Sequence, residues 1–207
     1  MARIDTPRLQ NLWATFFNDI EFDNLELIRF LSPSSTFKTF NKAVVVSDDQ
    51  HTAVALKRQP PFFAGVTAGI KCSLPDWQLS SLAQICTSFF PLLSTTEDLF
   101  VYEQEYSQLN WENGMGNIEW LELLFPFTAV KNLYLSELFA PLIAPALQET
   151  TGSGTTEVLP SLQNLYLEGF RPSESVPEDI EGFISARQAT SHPVAISVWD
   201  RVMVRDK

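Results

Sequence analysis

The sequence predicts an α/β fold in which one parallel sheet carries helices on a single outer face. Two observations lead there. The first is an internal repeat: Phe127-Thr-Ala-Val-Lys-Asn-Leu-Tyr-Leu135 returns as Leu159-Pro-Ser-Leu-Gln-Asn-Leu-Tyr-Leu167, displaced by 32 residues. That displacement suits one strand, one helix and two turns. The second is the recurrence of the same strand template along the chain. Its fourth position falls at Leu12, Ala43, Ile70, Leu99, Leu133, Leu165 and Ile196, giving steps of 31, 27, 29, 34, 32 and 31. A doubly wound sheet has similar periodicity. It lacks support here because no strand is followed by a Gly-x-Gly-x-x-Gly or Gly-x-x-x-x-Gly-Lys phosphate loop.

The elements follow in order. Thr6-Pro-Arg-Leu-Gln-Asn-Leu-Trp13 is a third copy of the repeat. Leu25, Leu27, Ile28 and Leu31 give a short helical face that Pro33 ends. Val44–Val46, His51–Leu56 and Gly65–Cys72 read as strands around an Asp48-Asp-Gln50 turn, so a β-hairpin insertion at 43–72 is expected. Asp76 is a candidate N-cap for a helix bearing Trp77, Leu79, Leu82, Ile85, Cys86, Phe89 and Phe90. Pro91 closes that helix, and Thr96–Val101 is the next strand. Glu103–Gly116 reads as a loop. Ile118, Leu121, Leu124 and Phe125 mark another helix face, and strand Val130–Leu135 follows. Phe139–Leu147 is an apolar helix with Pro141 and Pro145 as candidate bend points. Residues 150–156 form a turn, Leu162–Leu167 a strand, and 172–177 a loop. A helix from Pro177 buries Ile180, Phe183 and Ile184. His192–Val198 is the last strand, with Arg201–Lys207 a charged tail.

Composition limits the function classes. The 207 residues carry 25 acids against 14 bases, a formal charge of −11. Nucleic acid and anionic membrane need clustered Lys and Arg, so neither is expected as a partner. No apolar run approaches the ~18 residues of a membrane span. Met1-Ala-Arg-Ile-Asp-Thr-Pro has no apolar signal region, and no glycosylation sequon occurs. With two cysteines lacking metal-ligand spacing, Cys72 and Cys86 read as buried reduced thiols. These features point to a cytoplasmic or nuclear setting. Catalysis finds no support: His51 and His192 are the only histidines, there is no nucleophile elbow, and Glu103, Glu105, Glu119 and Glu122 read as solvated acids. No cofactor or metal is expected.

The Leu-x-x-Leu-x-Leu spacing is the strand signature of leucine-rich repeats. Three stretches extend the likeness: Cys86-Thr-Ser-Phe-Phe-Pro-Leu-Leu before Glu97-Asp-Leu-Phe-Val-Tyr102, Trp120–Leu135, and His192–Asp200. Together they resemble the C-terminal repeats of fungal F-box leucine-rich-repeat proteins over residues 7–200. The resemblance implies a ribonuclease-inhibitor-like horseshoe segment. Its parallel sheet would line the concave side and its helices the convex side, in a single domain of about six to seven irregular repeats over 1–207. It also implies a role as a substrate-recognition module of a ubiquitin ligase. No residues precede the first repeat to form an F-box, so docking of a Skp-type adaptor is not expected to carry over. The alternative is a truncated remnant or scaffold without that role.

Within that template the leucines face inward and the intervening positions face the open side. Trp13, Val44, Lys71, Phe100, Tyr134 and Tyr166 then form one exposed row. Asn11, Lys42, Asp98, Asn132 and Asn164 flank it on one side, with Thr15, Val46, Ser73, Tyr102, Ser136 and Glu168 on the other. The expected protein-binding residues are Trp13, Phe100, Tyr102, Tyr134 and Tyr166, with Asp98, Asn132, Asn164 and Glu168 as polar neighbours. The acidic charge favours a basic partner. Aromatic residues on a sheet face also stack across strands without any ligand, which is the competing explanation.

Overall fold

The computed structural model describes residues 11–17, 40–57, 65–72, 75–104, 117–149, 158–170, 178–189 and 192–201. Its strands are β1 (Asn11–Phe17), β2 (Lys42–Ser47), β3 (His51–Lys57), β4 (Gly65–Lys71), β5 (Asp98–Glu103), β6 (Asn132–Leu135), β7 (Asn164–Glu168) and β8 (Ala195–Trp199). The helices among these residues are α1 (Pro75–Ser88), α2 (Phe90–Leu93), α3 (Asn117–Leu124), α4 (Phe139–Glu149) and α5 (Glu178–Ala189). The expected helix around Leu25–Leu31, the turn at 150–156, the loop at 172–177 and the tail after Arg201 lie outside the described residues. So do most of the loop before Gly116, Ser73, and the first half of the third repeat copy.

All eight strands join one mixed, mostly parallel sheet, in the order β1-β4-β3-β2-β5-β6-β7-β8. Only β3 runs against its neighbours. The pairing of β5 through β8 follows the repeat register, with Leu99, Leu133, Leu165 and Ile196 side by side. Backbone bonds repeat from rung to rung as well. The Asn41 carbonyl accepts from the N–H groups of Glu97 and Asp98, that of Glu97 from Lys131 and Asn132, and that of Lys131 from Gln163 and Asn164. Equivalent turns close through Thr96 to Leu93, Val130 to Phe127 and Leu162 to Leu159.

The first half departs from the expected register. The strand of Leu12 does not adjoin that of Leu99, because the β2–β3–β4 meander stands between them. Leu12 pairs with Val66 rather than Ile70, a slip of four residues along β4. An even slip keeps every side chain on its own face, so the alternating Gly65–Lys71 segment fits either register. Lys71 therefore sits beside Phe17 and His51, and Thr67 takes its expected place opposite Trp13 and Ala55. Gly65 sets this corner, because a Cβ there would collide with the Leu56 carbonyl oxygen. Only glycine permits that approach.

Among the described residues the helices share one face of the sheet, and the opposite face is helix-free in that sense. A single buried cluster joins Ala43, Leu99, Leu133 and Leu165 from the strands to Leu82, Ile85, Trp120, Leu123, Ile143, Leu147, Ile180 and Phe183 from the helices. Pro75 takes the first position of α1, where its missing N–H costs nothing, one residue before the expected cap at Asp76. Helix α3 is rolled relative to expectation. Trp120, Leu123 and Leu124 are buried, while Ile118 is 66% and Phe125 47% exposed. Trp77, also expected inside, is 55% exposed. The first helix closes at Ser88, short of Pro91, and Pro91 lies within the separate four-residue α2. Pro145 lies within α4, which runs on to Glu149.

Two polar anchors fix the helix layer. Ser136 caps α4, its Oγ accepting from the Phe139 N–H at 3.4 Å. Arg187 of α5 is only 1% exposed and donates to the carbonyls of Val158 and Leu159 at 3.0 Å each. Leu159 has a φ of 50°, a left-handed conformation unusual for this residue type. Cys72 and Cys86 are free and buried, and burial pushes the Cys86 thiol far above its ordinary range. No helix among the described residues is long and apolar enough to cross a membrane.

Candidate functional site: the helix-free sheet face

Period-two alternation sends Phe100, Tyr134 and Tyr166 away from the helices, and the shared register brings them into line. The Phe100 and Tyr134 rings stack with centroids 4.0 Å apart and planes 4° from parallel. Tyr134 and Tyr166 stack at 4.4 Å and 8°. Such pairs add about 0.5–1.5 kcal/mol each beyond area burial. Burial, with the Asp98 charge, the Tyr166 charge and a hydrogen bond with Tyr166, pushes the Tyr134 phenol up to about 12.

The strip is less open than expected. Phe100 is 5% exposed, not a free surface residue. Lys42 places its ammonium 3.9 Å from the ring centroid on one side. Tyr134 stacks on the ring, and Trp199 of β8 stands edge-on to it at 5.8 Å and 65°. Trp199 also contacts Tyr134 at 5.8 Å and Tyr102 at 6.0 Å. Val44, Ala55, Phe100 and Trp199 form a second small core, with Tyr102, Tyr134 and Tyr166 packed against it. Trp13 lies apart from this cluster, 69% exposed, with its indole N–H donating to Thr15 Oγ1 at 2.8 Å. The structure thus unites Phe100, Tyr102, Tyr134 and Tyr166, and leaves Trp13 at the far end of the sheet.

Both flanks are ordered. On the first, Asn132 donates to Asp98 Oδ1 at 2.7 Å, and Asn164 donates to Asn132 Oδ1 at 2.8 Å, a ladder across three strands. Burial lowers the Lys42 pKa at the head of this ladder; the facing Lys57 charge lowers it further, and Asp98 opposes both. On the second flank Glu103 accepts from Ser136 Oγ and from the Arg201 guanidinium, which also pairs with Glu168. Arg201 Nη1 donates to the Glu103 carbonyl at 2.8 Å. Burial alone would raise the Glu103 carboxyl, but the bonds from Ser136 and Arg201, the backbone and the Arg201 charge hold it below the ordinary glutamate range. Glu103 is therefore the end of β5 and a partnered acid, not a solvated loop residue.

Trp199 and Arg201 escaped sequence reasoning. The template ended at Val198, and Arg201 read as the start of a tail. The available signal was the alternation itself, which puts Trp199 on the same face as Ser197 and beside Glu168. Among the described residues no group of three His, Cys, Asp or Glu side chains could hold a metal ion. Neither family models nor curated proteins nor solved structures give a match to this chain.

Proposed function

We propose that this chain is a non-catalytic protein-recognition module of the leucine-rich-repeat type, docking its ligand on the helix-free face. The observation that carries this reading is the stacked strip of Phe100, Tyr134 and Tyr166 between two ordered polar flanks. Rigid aromatics ringed by hydrogen-bonding groups are what interface hot spots use.

The horseshoe geometry is part of the proposal. Trp199 and Phe100 belong to strands three steps apart, about 14 Å in a flat sheet at ~4.8 Å per step. Their rings nevertheless lie 5.8 Å apart, which favours a sheet curled toward this face. The translated backbone bonds from β2 through β7 favour a repeating rung. On the sequence resemblance, the role would be that of the substrate-holding repeats of a ubiquitin-ligase receptor, with a basic protein segment as ligand.

A second reading, a scaffold with no ligand, is favoured by the burial of Phe100 beneath Trp199. A photo-crosslinking residue at position 166, compared with one at Glu122 on the helical face, separates the two. Recognition predicts that defined proteins crosslink from position 166 and not from 122. Equal or absent crosslinking from both leaves the scaffold.

A further inference from the structure

Strand β8 reaches the candidate site from the end of the sheet. It pairs in parallel along β7, with Ala195 opposite Asn164 and Trp199 opposite Glu168. Its flanks are poorly held: Ala195, Ser197 and Val198 are exposed and Ile196 is half-buried, so Trp199 is its one buried residue. Two residues beyond the indole, the Arg201 guanidinium lies between Glu103 of β5 and Glu168 of β7. It also faces the Tyr102 ring at 5.2 Å. A strand that ends in one aromatic anchor, with a cation two positions later where the chain turns, is how a bound peptide would engage this face.

We propose that Trp199-Asp200-Arg201 is a resident pseudo-ligand, and that the helix-free face takes from its partner an extended segment bearing an aromatic residue followed two positions later by arginine. The inference rests on the recognition reading above and adds the motif. Three observations support displacement over permanent closure. Trp199 is 5% exposed, and its indole Nε1 finds no acceptor among the described residues. Arg201 Nε is likewise buried without an acceptor. A buried donor left unmade is a cost that a competing segment supplying an acceptor would recover. Third, β8 is an edge strand with little buried surface, so it belongs to the low-stability end of the molecule. The acceptors for the incoming arginine are already built, because Ser136 and the sheet hold Glu103 in place.

The test uses the full-length chain and a fluorescent peptide of residues 195–203. Wild type and the Trp199→Ala/Arg201→Ala double variant are titrated by anisotropy. An internal competitor lowers apparent affinity by the fraction of molecules with the face open, so the variant should bind the peptide about ten-fold tighter or more than wild type. Replacing either the tryptophan or the arginine of the peptide should abolish that gain. Equal affinities, or no binding by a variant that still melts cooperatively, overturn the proposal. Should the variant not fold, isotope-labelled wild type is mixed with excess unlabelled peptide. Loss of amide protection confined to 195–199 supports displacement, and unchanged protection overturns it. Crosslinking from position 166 without peptide binding would leave the recognition face standing and remove the motif.

Discussion

At Glu103 a half-buried carboxylate is held ionised by Ser136, just after β6, and by Arg201, just after β8. Its folded-state pKa lies below the ordinary value of about 4.3. The contribution to stability is therefore complete above that ordinary value and lost as pH falls through the depressed one. Arg201 stays charged throughout, so the acid arm belongs to the carboxylate. Glu103→Gln should lower the denaturant midpoint at pH 7, with the gap to wild type closing in acid. Paired unfolding curves across the acid range check this, and a gap independent of pH contradicts it. Arg187 makes a different case. Replacing it with Leu strands the Val158 and Leu159 carbonyls in the core, and bonds to a charged donor are worth about 1.5–3 kcal/mol each. A loss on the order of 2 kcal/mol or more is expected by chemical denaturation.

Among the elements, β6 and β7 were legible because both carry Asn-Leu-Tyr-Leu, and identical strands find identical register. Leu133 and Leu165 are fully buried there, so Leu133→Ala should cost about 2–5 kcal/mol through lost transfer and a residual cavity. An unchanged midpoint would contradict the register. The meander was legible as strands but not as pairing, because Gly65–Lys71 alternates evenly and tolerates a slip. The structure settles the register through Gly65, which Leu56 crowds. Gly65→Ala should force β3 and β4 apart and weaken the Leu12–Val66 pairing, seen as lost amide protection in β1 and β4 with β6 and β7 unaffected. The roll of α3 was illegible because Ile118 and Phe125 satisfy helical spacing as well as Trp120 and Leu123 do. Only the neighbouring helices choose between the two faces.

Across the molecule, the sheet has a firm middle and a light end. Strands β5, β6 and β7 sit over a continuous core, whereas β8 contributes Trp199 and little else to burial. Hydrogen exchange should therefore release the β8 amides before those of β5–β7, and simultaneous exchange would mean one cooperative unit. The closure of the strip by β8 was not legible, since Arg201 meets the Glu103 carbonyl across 98 residues of chain. Local pattern carries no information at that separation. What the repeat did convey was which residues share a row, and the row from Phe100 to Tyr166 is where that reading and the structure coincide.

The amide ladder beside that row has a direction. Asp98 can only accept, so Asn132 must turn its NH₂ toward β5 and its oxygen toward β7. Asn164 must then do the same, sending its own oxygen toward β8. One ionised group thus orients every amide after it, as the first tile orients a row of dominoes. Substituting Asn for Asp98 would keep the shape and erase the instruction, leaving two amide orientations of similar energy at each rung. The side-chain amide resonances of Asn132 and Asn164, expected as one set in the wild type, should then report exchange between two.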